Sequence, residues 1–299
     1  FCQKSFERHA PILCGPGGDR FVYQLRRRFD MYCKFVPLKP MTALRGTGPM
    51  NEKAVSDVDI LLVRDNIGGV YQGSWHTENT EHGRRAHHDF TYDEKQVRRI
   101  IALAFAIAQQ RSNKLCVVHK PGGTPAISAL WTDVAKEIAL ESPVEMRFLE
   151  VDTAAYLMLA EASTFDVVVT PNMFGDILAD AAAVLLGSRG MSYSWNVSET
   201  GYSVYQTGHG AAYDLAGLGS ANPLGQIQTL AALLRESYGL LDISEAIFSA
   251  CNAVLNQGIR TADIAIPDSA AVNTQEMSDA IADELARQLS ATSQNLAAG

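Results

Sequence analysis

Residues 165–180, with the sequence FDVVVTPNMFGDILAD, decide the fold class that we predict for this chain. The first part is a short apolar run, typical of a buried strand, and the second part is apolar on nearly all sides, typical of a buried helix. In that helix, Asp176 and Asp180 lie four residues apart and share one face. Two carboxylates on one face repel each other unless a cation lies between them, and Mg²⁺ or Mn²⁺ prefers carboxylate oxygens. The alternative is an ordinary helix start, where the helix dipole favours acidic residues.

The segments around this stretch repeat the same pattern of strand and helix. Short apolar runs at 59–64, 115–119 and 146–151 predict three further strands. Apolar residues at helical spacing lie between them, most clearly at 92–110. Strands that alternate with helices favour an α/β fold with a doubly wound sheet. The other predicted helices are 126–140, 174–186, 222–238, 241–255 and 276–289.

Composition limits the classes of function that the chain fits. Its 299 residues are 47% hydrophobic and 19% charged, so it can bury a core. The net charge of −8 gives the chain no general affinity for nucleic acid or anionic membranes, and the longest apolar run, 100–108, is too short to span a bilayer. Five cysteines without a C-x-x-C pair predict free thiols in a reducing compartment, the cytoplasm or an organelle matrix.

Reactive side chains follow several of the predicted strands. Arg64 ends one strand and offers a planar fork for a carboxylate, while Tyr71 follows in a glycine-rich segment and can donate a proton. Lys120 ends a second strand, where partial desolvation lowers the pKa of a lysine and makes it a base. Asp152 ends a third and could be another oxygen ligand for a cation. Taken singly, each is equally well explained by a turn or by a side chain that reaches solvent.

Two more segments have the composition of ligand sites. Arg26, Arg27 and Arg28 form either a local anion site or the solvated face of a helix. The loop 209–223, HGAAYDLAGLGSANP, is rich in glycine and alanine, so its backbone amides can approach a nucleotide closely. Asp214 in this loop can accept hydrogen bonds from a ribose diol and would repel a 2′-phosphate. A plain long turn is the alternative.

The order of these motifs resembles that of the β-decarboxylating dehydrogenases, which include isopropylmalate, isocitrate, homoisocitrate and tartrate/D-malate dehydrogenases. The motifs are VRDNIGGVYQG at 63–73, the strand-end lysine, VDTAA at 151–155, the stretch at 165–180 and the loop at 209–223. The resemblance runs from about Gly15 to the C-terminus. It implies oxidative decarboxylation of a malate-type 2-hydroxy diacid, closest to 3-isopropylmalate, with NAD and Mg²⁺ or Mn²⁺, by a homodimer with shared active sites.

The resemblance also implies two α/β domains with the active site in the cleft between them. Residues 1–31 and 188–299 correspond to a discontinuous nucleotide-binding domain, and 32–187 to a second domain with the dimer interface and the metal site. Family members begin with a strand and a GDGIG-type loop that this sequence lacks, so we expect an N-terminal segment to be missing before Phe1.

The same resemblance assigns roles to individual residues. The catalytic residues are Tyr71, Lys120 and Asp176, and the metal ligands are Asp152, Asp176 and Asp180, with Lys120 and Asp152 acting across the dimer interface. The substrate residues are Arg26, Arg64, Val22 and Tyr23, and the cofactor residues are His209, Gly210, Asp214 and Asn222. Val22 and Tyr23, together with Asp19, favour an isopropyl-like or small uncharged substituent, and Asp214 favours NAD over NADP.

Three positions depart from the family pattern. Val36 lies where the family has its second arginine, Pro121-Gly122 replaces Ala-Asn after the lysine, and Gln206 replaces an acidic residue near the adenosine loop. Losing the charge-assisted hydrogen bonds of one arginine weakens substrate binding by about 1.5–3 kcal/mol unless another group compensates. Lys34 and Lys39 are the candidate groups, although the alignment places neither of them at the position of the arginine. The alternatives are a tartrate/D-malate-type or specialised-pathway dehydrogenase of the same family, or a non-catalytic regulatory subunit.

Overall fold

The computed structural model describes residues 1–17, 20–267 and 269–298. Its strands are β1 (Ile12–Leu13), β2 (Cys33–Leu38), β3 (Ile60–Asp65), β4 (Ser74–Thr80), β5 (Gly83–Asp89), β6 (Lys114–His119), β7 (Glu145–Glu150), β8 (Val167–Thr170), β9 (Tyr193–Val197) and β10 (Ser203–Thr207). Its α-helices are α1 (Cys2–Phe6), α2 (Arg20–Arg28), α3 (Glu52–Val55), α4 (Glu94–Gln109), α5 (Pro125–Ala139), α6 (Val151–Ala160), α7 (Asn172–Ala182), α8 (Leu224–Tyr238), α9 (Leu241–Asn256) and α10 (Thr274–Ala298).

One mixed sheet organises the fold, with the strand order β1-β10-β9-β2-β3-β8-β6-β7. Strands β3, β8, β6 and β7 are parallel, whereas β10, β9, β2 and β3 pair in antiparallel fashion. The carboxyl ends of the four parallel strands meet at one edge, which is where open α/β sheets bind ligands. The α/β prediction is confirmed.

Apolar clusters bury both faces of this sheet. Leu62 and Val168 belong to one cluster, while Val63 and Val169 belong to the other. Neighbouring residues of a strand point to opposite faces, so each strand contributes to both clusters. Burial on both faces explains why the central parallel strands β3, β8 and β6 appear in the sequence as largely apolar runs, whereas the edge strand β7 includes charged residues.

The strand that precedes Asp152 differs from the prediction. It ends at Glu150, and α6 begins at Val151, so Asp152 lies in the first turn of a helix and not at the end of a strand. The physical reason is that an acidic side chain in the first turn interacts favourably with the positive end of the helix dipole.

Strands β4 and β5 form a separate antiparallel hairpin. Because β2 pairs with both β3 and β9, the main sheet continues across the expected domain boundaries, which stay a prediction. None of the helices within the described residues combines the length and the apolar composition needed to cross a membrane. All five cysteines are free thiols.

Candidate active site

The centre of the candidate site is a contact between Arg64, on β3, and Asp176, on α7. Nη1 of Arg64 forms an ion pair with Asp176, while its Nε and Nη2 donate to Oδ1 of Asn172 at 3.1 and 2.8 Å. Gly175 makes this approach possible, since a Cβ there would lie 2.2 Å from Oγ1 of Thr170 and 2.8 Å from Cγ of Arg64. The glycine of the FGD motif therefore lets α7 pack directly on β3 and β8.

Tyr71 contacts the same carboxylate. Its hydroxyl donates to Oδ2 of Asp176 at 2.9 Å, and the guanidinium of Arg64 lies 5.9 Å from its ring centroid. Burial, followed by the hydrogen bond to Asp176, raises the pKa of Tyr71 to about 12. Burial opposes ionisation of Asp176, but the charge of Arg64 and the hydrogen bond from Tyr71 outweigh it and hold the pKa of that carboxyl below its usual value. The phenol therefore keeps its proton beside an ionised carboxylate.

A buried network behind this cluster was missed by the sequence analysis. The hydroxyl of Tyr92 donates to Oδ2 of Asp65 at 3.1 Å and accepts from the backbone N–H of Asn172 at 3.0 Å. The backbone N–H of Gly68 donates to the same Asp65 oxygen at 2.9 Å, and Nδ2 of Asn172 donates to the Gly68 carbonyl at 3.0 Å. These contacts fix the loop after β3 against the start of α7. Asp65 lies in the motif at 63–73 and Asn172 in the stretch at 165–180, and this position within two motifs was the only sequence feature that could have pointed to them.

Arg26 lies close to Arg64, as predicted for a substrate site. It is only 5% exposed, its guanidinium lies 5.5 Å from the ring centroid of Tyr23, and its buried Nε has no hydrogen-bond partner. Burial, followed by the positive charge of Arg64, lowers the pKa of Arg26 to about 9. Val22 is partly buried and Tyr23 is exposed, while Asp19 lies outside the described residues.

Lys120 and Asp152 form a second cluster at the ends of β6 and β7. Nζ of Lys120 donates to Glu150 at 2.7 Å and to both carboxylate oxygens of Asp152 at 3.0 Å. The hydrogen bonds to Glu150 and then Asp152 raise the pKa of Lys120, and the bond from Lys120 lowers that of Asp152. The expectation of a desolvated lysine with a lowered pKa is therefore wrong for this chain, because two carboxylates surround the ammonium. No hydrogen bond or ion pair within the described residues joins this cluster to Tyr71 or Asp176.

The three aspartates fit a divalent cation in their chemistry. Asp176 and Asp180 lie on one face of α7, where Asp176 pairs with Arg64 and Asp180 accepts from Nη2 of Arg189 at 2.6 Å. All three carboxylates are at least 43% exposed, and carboxylate oxygens are the ligands that Mg²⁺ and Mn²⁺ prefer. This chain does not bring the three together by itself, since Asp152 belongs to the second cluster. In the described part of the chain, three potential metal-ligand atoms from His, Cys, Asp or Glu side chains lie close together only at His76, Glu78 and His87 of the hairpin.

The four expected cofactor residues line one cavity of about 630 Å³. They are His209, Gly210, Asp214 and Asn222. Nδ2 of Asn222 donates to Asp263 at 3.0 Å, and its Oδ1 accepts from the backbone N–H of Leu224 at 2.9 Å, which ties the loop to the start of α8. Gly217 and Gly219 have φ values of +79° and +65°, a backbone conformation that favours glycine. The four residues therefore share one cavity, and their role in cofactor binding stays a prediction.

A second cavity, of about 660 Å³, lies between α2 and the β4–β5 hairpin. Tyr23 and Tyr71 line its inner part, and Trp75, His76 and His88 line the hairpin side. The expected catalytic tyrosine is thus open to a volume that a small molecule or a protein segment can fill.

Fold and site together define an α/β protein with arginine, tyrosine, lysine and carboxylate side chains at the carboxyl edge of the parallel strands of a mixed sheet. The family model described as isocitrate/isopropylmalate dehydrogenase matches residues 18–281, and the chain belongs to that family. The expected family is therefore confirmed, and the chain is a member of a family of dehydrogenases.

Individual relatives agree with this assignment. A 3-isopropylmalate dehydrogenase of Pseudomonas fluorescens is 38% identical over 266 residues, which are 88% of this chain and 74% of the relative. One of Desulfitobacterium hafniense is 40% identical over 258 residues, which are 86% of this chain and 72% of the relative. The crystal structure of an isocitrate dehydrogenase from Methylococcus capsulatus superposes with a TM-score of 0.82 at 31% identity, covering 91% of this chain and 81% of that chain.

Proposed function

We propose that this protein catalyses the NAD-dependent oxidative decarboxylation of a malate-type 2-hydroxy diacid with an uncharged substituent, for which 3-isopropylmalate is the closest candidate. The observation that carries the proposal is the contact of Tyr71 and Arg64 with one ionised carboxylate, Asp176, at the ligand-binding edge of the sheet. Relatives named 3-isopropylmalate dehydrogenase, at 38–40% identity, support this substrate class.

The reaction needs one oxidation and one cleavage. The carbon that bears the hydroxyl gives its hydride to NAD⁺, and the hydroxyl proton passes to a base, which leaves a ketone. The bond to the β-carboxylate then breaks, CO₂ leaves, and the carbon left behind accepts a proton. One diacid and one NAD⁺ therefore give one 2-oxo acid, one CO₂ and one NADH.

The residues of this chain divide these tasks. Arg26 and Arg64 bind carboxylates of the substrate, since both are buried cations and lie against Tyr23 and Tyr71, which line the cavity. Tyr71 delivers the proton to carbon, since its phenol is protonated at neutral pH. We assign the hydroxyl proton to Lys120, which accepts it as the neutral amine, whereas its ammonium form donates to Glu150 at 2.7 Å and to Asp152 at 3.0 Å.

We assign the metal to Asp176 and Asp180 of one copy of the chain together with Asp152 of a second copy. A bound Mg²⁺ or Mn²⁺ supplies a Lewis acid that stabilises the negative charge developing on the substrate during decarboxylation. The second copy is needed because Asp152 and Lys120 form a cluster that is separate from Tyr71 within one chain. A homodimer with shared active sites follows from this assignment.

The cavity at 209–223 is the proposed site for the adenosine part of NAD. Asp214 lines it and would repel the 2′-phosphate of NADP, so we propose NAD as the cofactor. Five free cysteines support a reducing compartment, the cytoplasm or an organelle matrix, as the place of action.

A second candidate function is that of a non-catalytic regulatory subunit. Two observations favour it. Val36 is 1% exposed in the apolar core, where the family pattern has an arginine. Apart from its chain neighbours, no heavy atom lies within 4 Å of a Cβ built on Gly122, so this position faces open space where the family has a polar side chain.

The test is a panel of diacids with NAD⁺ and either Mg²⁺ or Mn²⁺, followed by NADH absorbance. We expect turnover of 3-isopropylmalate above that of D-malate, tartrate and isocitrate, and loss of turnover in the folded variant Tyr71→Phe. A folded dimer that turns over none of these acids would contradict the proposal. Failure to bind NAD and metal as well would favour the regulatory subunit.

A further inference from the structure

Lys34 lies beside the centre of the candidate site. In the sheet, Lys34 of β2 is the direct antiparallel partner of Arg64 of β3. Side chains of directly opposed residues lie on the same face of a sheet, with Cβ atoms about 4.5–5.5 Å apart. Arg64 extends on this face towards Asn172 and Asp176, so Lys34 shares that face with the site.

Three cations are buried together here. Arg26, Lys34 and Arg64 are 5%, 6% and 2% exposed. Arg64 has carboxylate and amide partners, whereas the side chains of Arg26 and Lys34 make no hydrogen bond or ion pair with any residue that the structure describes. The carboxylates that face Lys34 are Asp176 and Asp180, which already pair with other arginines. The cluster therefore holds more positive charge than its own acids neutralise.

Buried cations without partners are costly, and a site that keeps them is suited to an anion. Burial, followed by the charges of Arg26 and Arg64, holds the pKa of Lys34 well below its usual value. A bound carboxylate between these groups would relieve their repulsion and supply the missing hydrogen-bond acceptors. Because both Arg26 and Lys34 lack an acidic partner among the described residues, two carboxylates neutralise the cluster better than one.

We propose that Lys34 is the third cation of the substrate site and, with Arg26 and Arg64, selects a dicarboxylate. Lys34 thereby supplies the charge that Val36 cannot, because Val36 lies two residues further along the same strand face and packs in the apolar core. This inference rests on the proposed function and deepens it, since it assigns a specificity role to a residue outside the family motifs.

The test compares Lys34→Met with Lys34→Arg and with the control Lys39→Met. Lys39 is exposed and pairs with Asp59 at 2.6 Å, away from the site, so its variant should behave as the wild type. We expect Lys34→Met to raise the KM for the diacid about 10- to 100-fold, with the KM for NAD unchanged and with partial rescue in Lys34→Arg. A structural role alone would not separate these two KM values. Wild-type binding of the diacid by folded Lys34→Met would overturn the proposal.

Binding of succinate, an unreactive dicarboxylate, gives a readout that is independent of turnover. By calorimetry, we expect weaker binding to Lys34→Met than to wild type, and weaker binding of acetate than of succinate to the wild type. If the wild type binds succinate through Lys34 but oxidises no diacid, the inference stands and the proposed reaction fails. If succinate binding is absent, or equal in wild type and Lys34→Met, the inference fails. Lys34→Gln serves as the neutral variant if Lys34→Met does not fold.

Discussion

Arg64 and Asp176 are 112 positions apart in the sequence and form an ion pair at the carboxyl edge of the parallel sheet. The side chain of Arg64 is 2% exposed and that of Asp176 is 43% exposed, so a buried guanidinium holds a carboxylate that remains open to ligands. The same guanidinium donates twice to Asn172, the first residue of α7. Arg64 thus fixes the helix that presents the expected metal ligands.

The first prediction concerns the planar guanidinium group of Arg64. Arg64→Lys keeps the charge but cannot contact Asn172 and Asp176 together, because an ammonium lacks the planar fork. We expect kcat/KM to fall by about 10²- to 10³-fold and the free energy of unfolding by about 1–3 kcal/mol. Steady-state kinetics and urea unfolding measure both. Arg84→Lys, on the exposed hairpin, is the control and should change neither, whereas wild-type kinetics in Arg64→Lys would refute the role.

The second prediction tests whether two copies share the site. Tyr71→Phe and Lys120→Met should each lose activity, because each removes one proton-transfer group from every site. If the tyrosine and the lysine act across a dimer interface, unfolding and refolding an equal mixture restores one intact site in each heterodimer. Random pairing then gives about a quarter of wild-type activity. Absence of any recovery, with dimers confirmed by sedimentation, would show that each chain uses its own pair.

The third prediction concerns the choice of cofactor. Asp214→Lys replaces a group that repels a 2′-phosphate by one that attracts it. We expect the ratio of kcat/KM for NADP to that for NAD to rise at least about tenfold. Asp283→Lys, which makes the same charge change on the exposed side of α10, should leave the ratio unchanged. An unchanged ratio in Asp214→Lys would place the adenosine site elsewhere.

Features that depend on a few neighbouring residues could be predicted from the sequence. The central parallel strands β3, β6 and β8 are largely apolar runs, and the residues at their ends, such as Arg64 and Lys120, could be identified from their position in the sequence. Strands β9 and β10 were missed because they bury polar residues, among them Ser194, Asn196 and Gln206. Ser194 and Asn196 hydrogen-bond across the strands to backbone carbonyls, and that environment exists only once the sheet has formed.

Long-range contacts account for the remaining misses. The importance of Lys34 depends on its pairing with Arg64, thirty residues later, and no local pattern encodes that pairing. The role of Tyr92 depends on its hydroxyl reaching the backbone of Asn172, 80 positions away. The raised pKa of Lys120 depends in the same way on carboxylates from the neighbouring strand and helix.

The fourth prediction concerns the pH dependence of stability. Burial raises the pKa of Asp65 to about 6 from an ordinary value of 3.8, so the folded state binds this proton more tightly than the unfolded state. The resulting stabilisation is complete below the unfolded pKa and is lost as the pH rises through about 6, a change of about 3 kcal/mol. Asp65→Asn cannot titrate. We therefore expect the free energy of unfolding of the wild type, relative to Asp65→Asn, to fall by about 2–3 kcal/mol between about pH 4 and 7 in urea titrations. A constant difference would show that Asp65 titrates normally.

The most direct measurement is the ratio of CO₂ released to NADH formed when the protein acts on 3-isopropylmalate with NAD⁺ and Mg²⁺. We predict one CO₂ for each NADH, loss of both products after chelation with EDTA, and their return when Mg²⁺ or Mn²⁺ is added back. NADH formation without CO₂, or equal rates before and after chelation, would contradict metal-dependent oxidative decarboxylation.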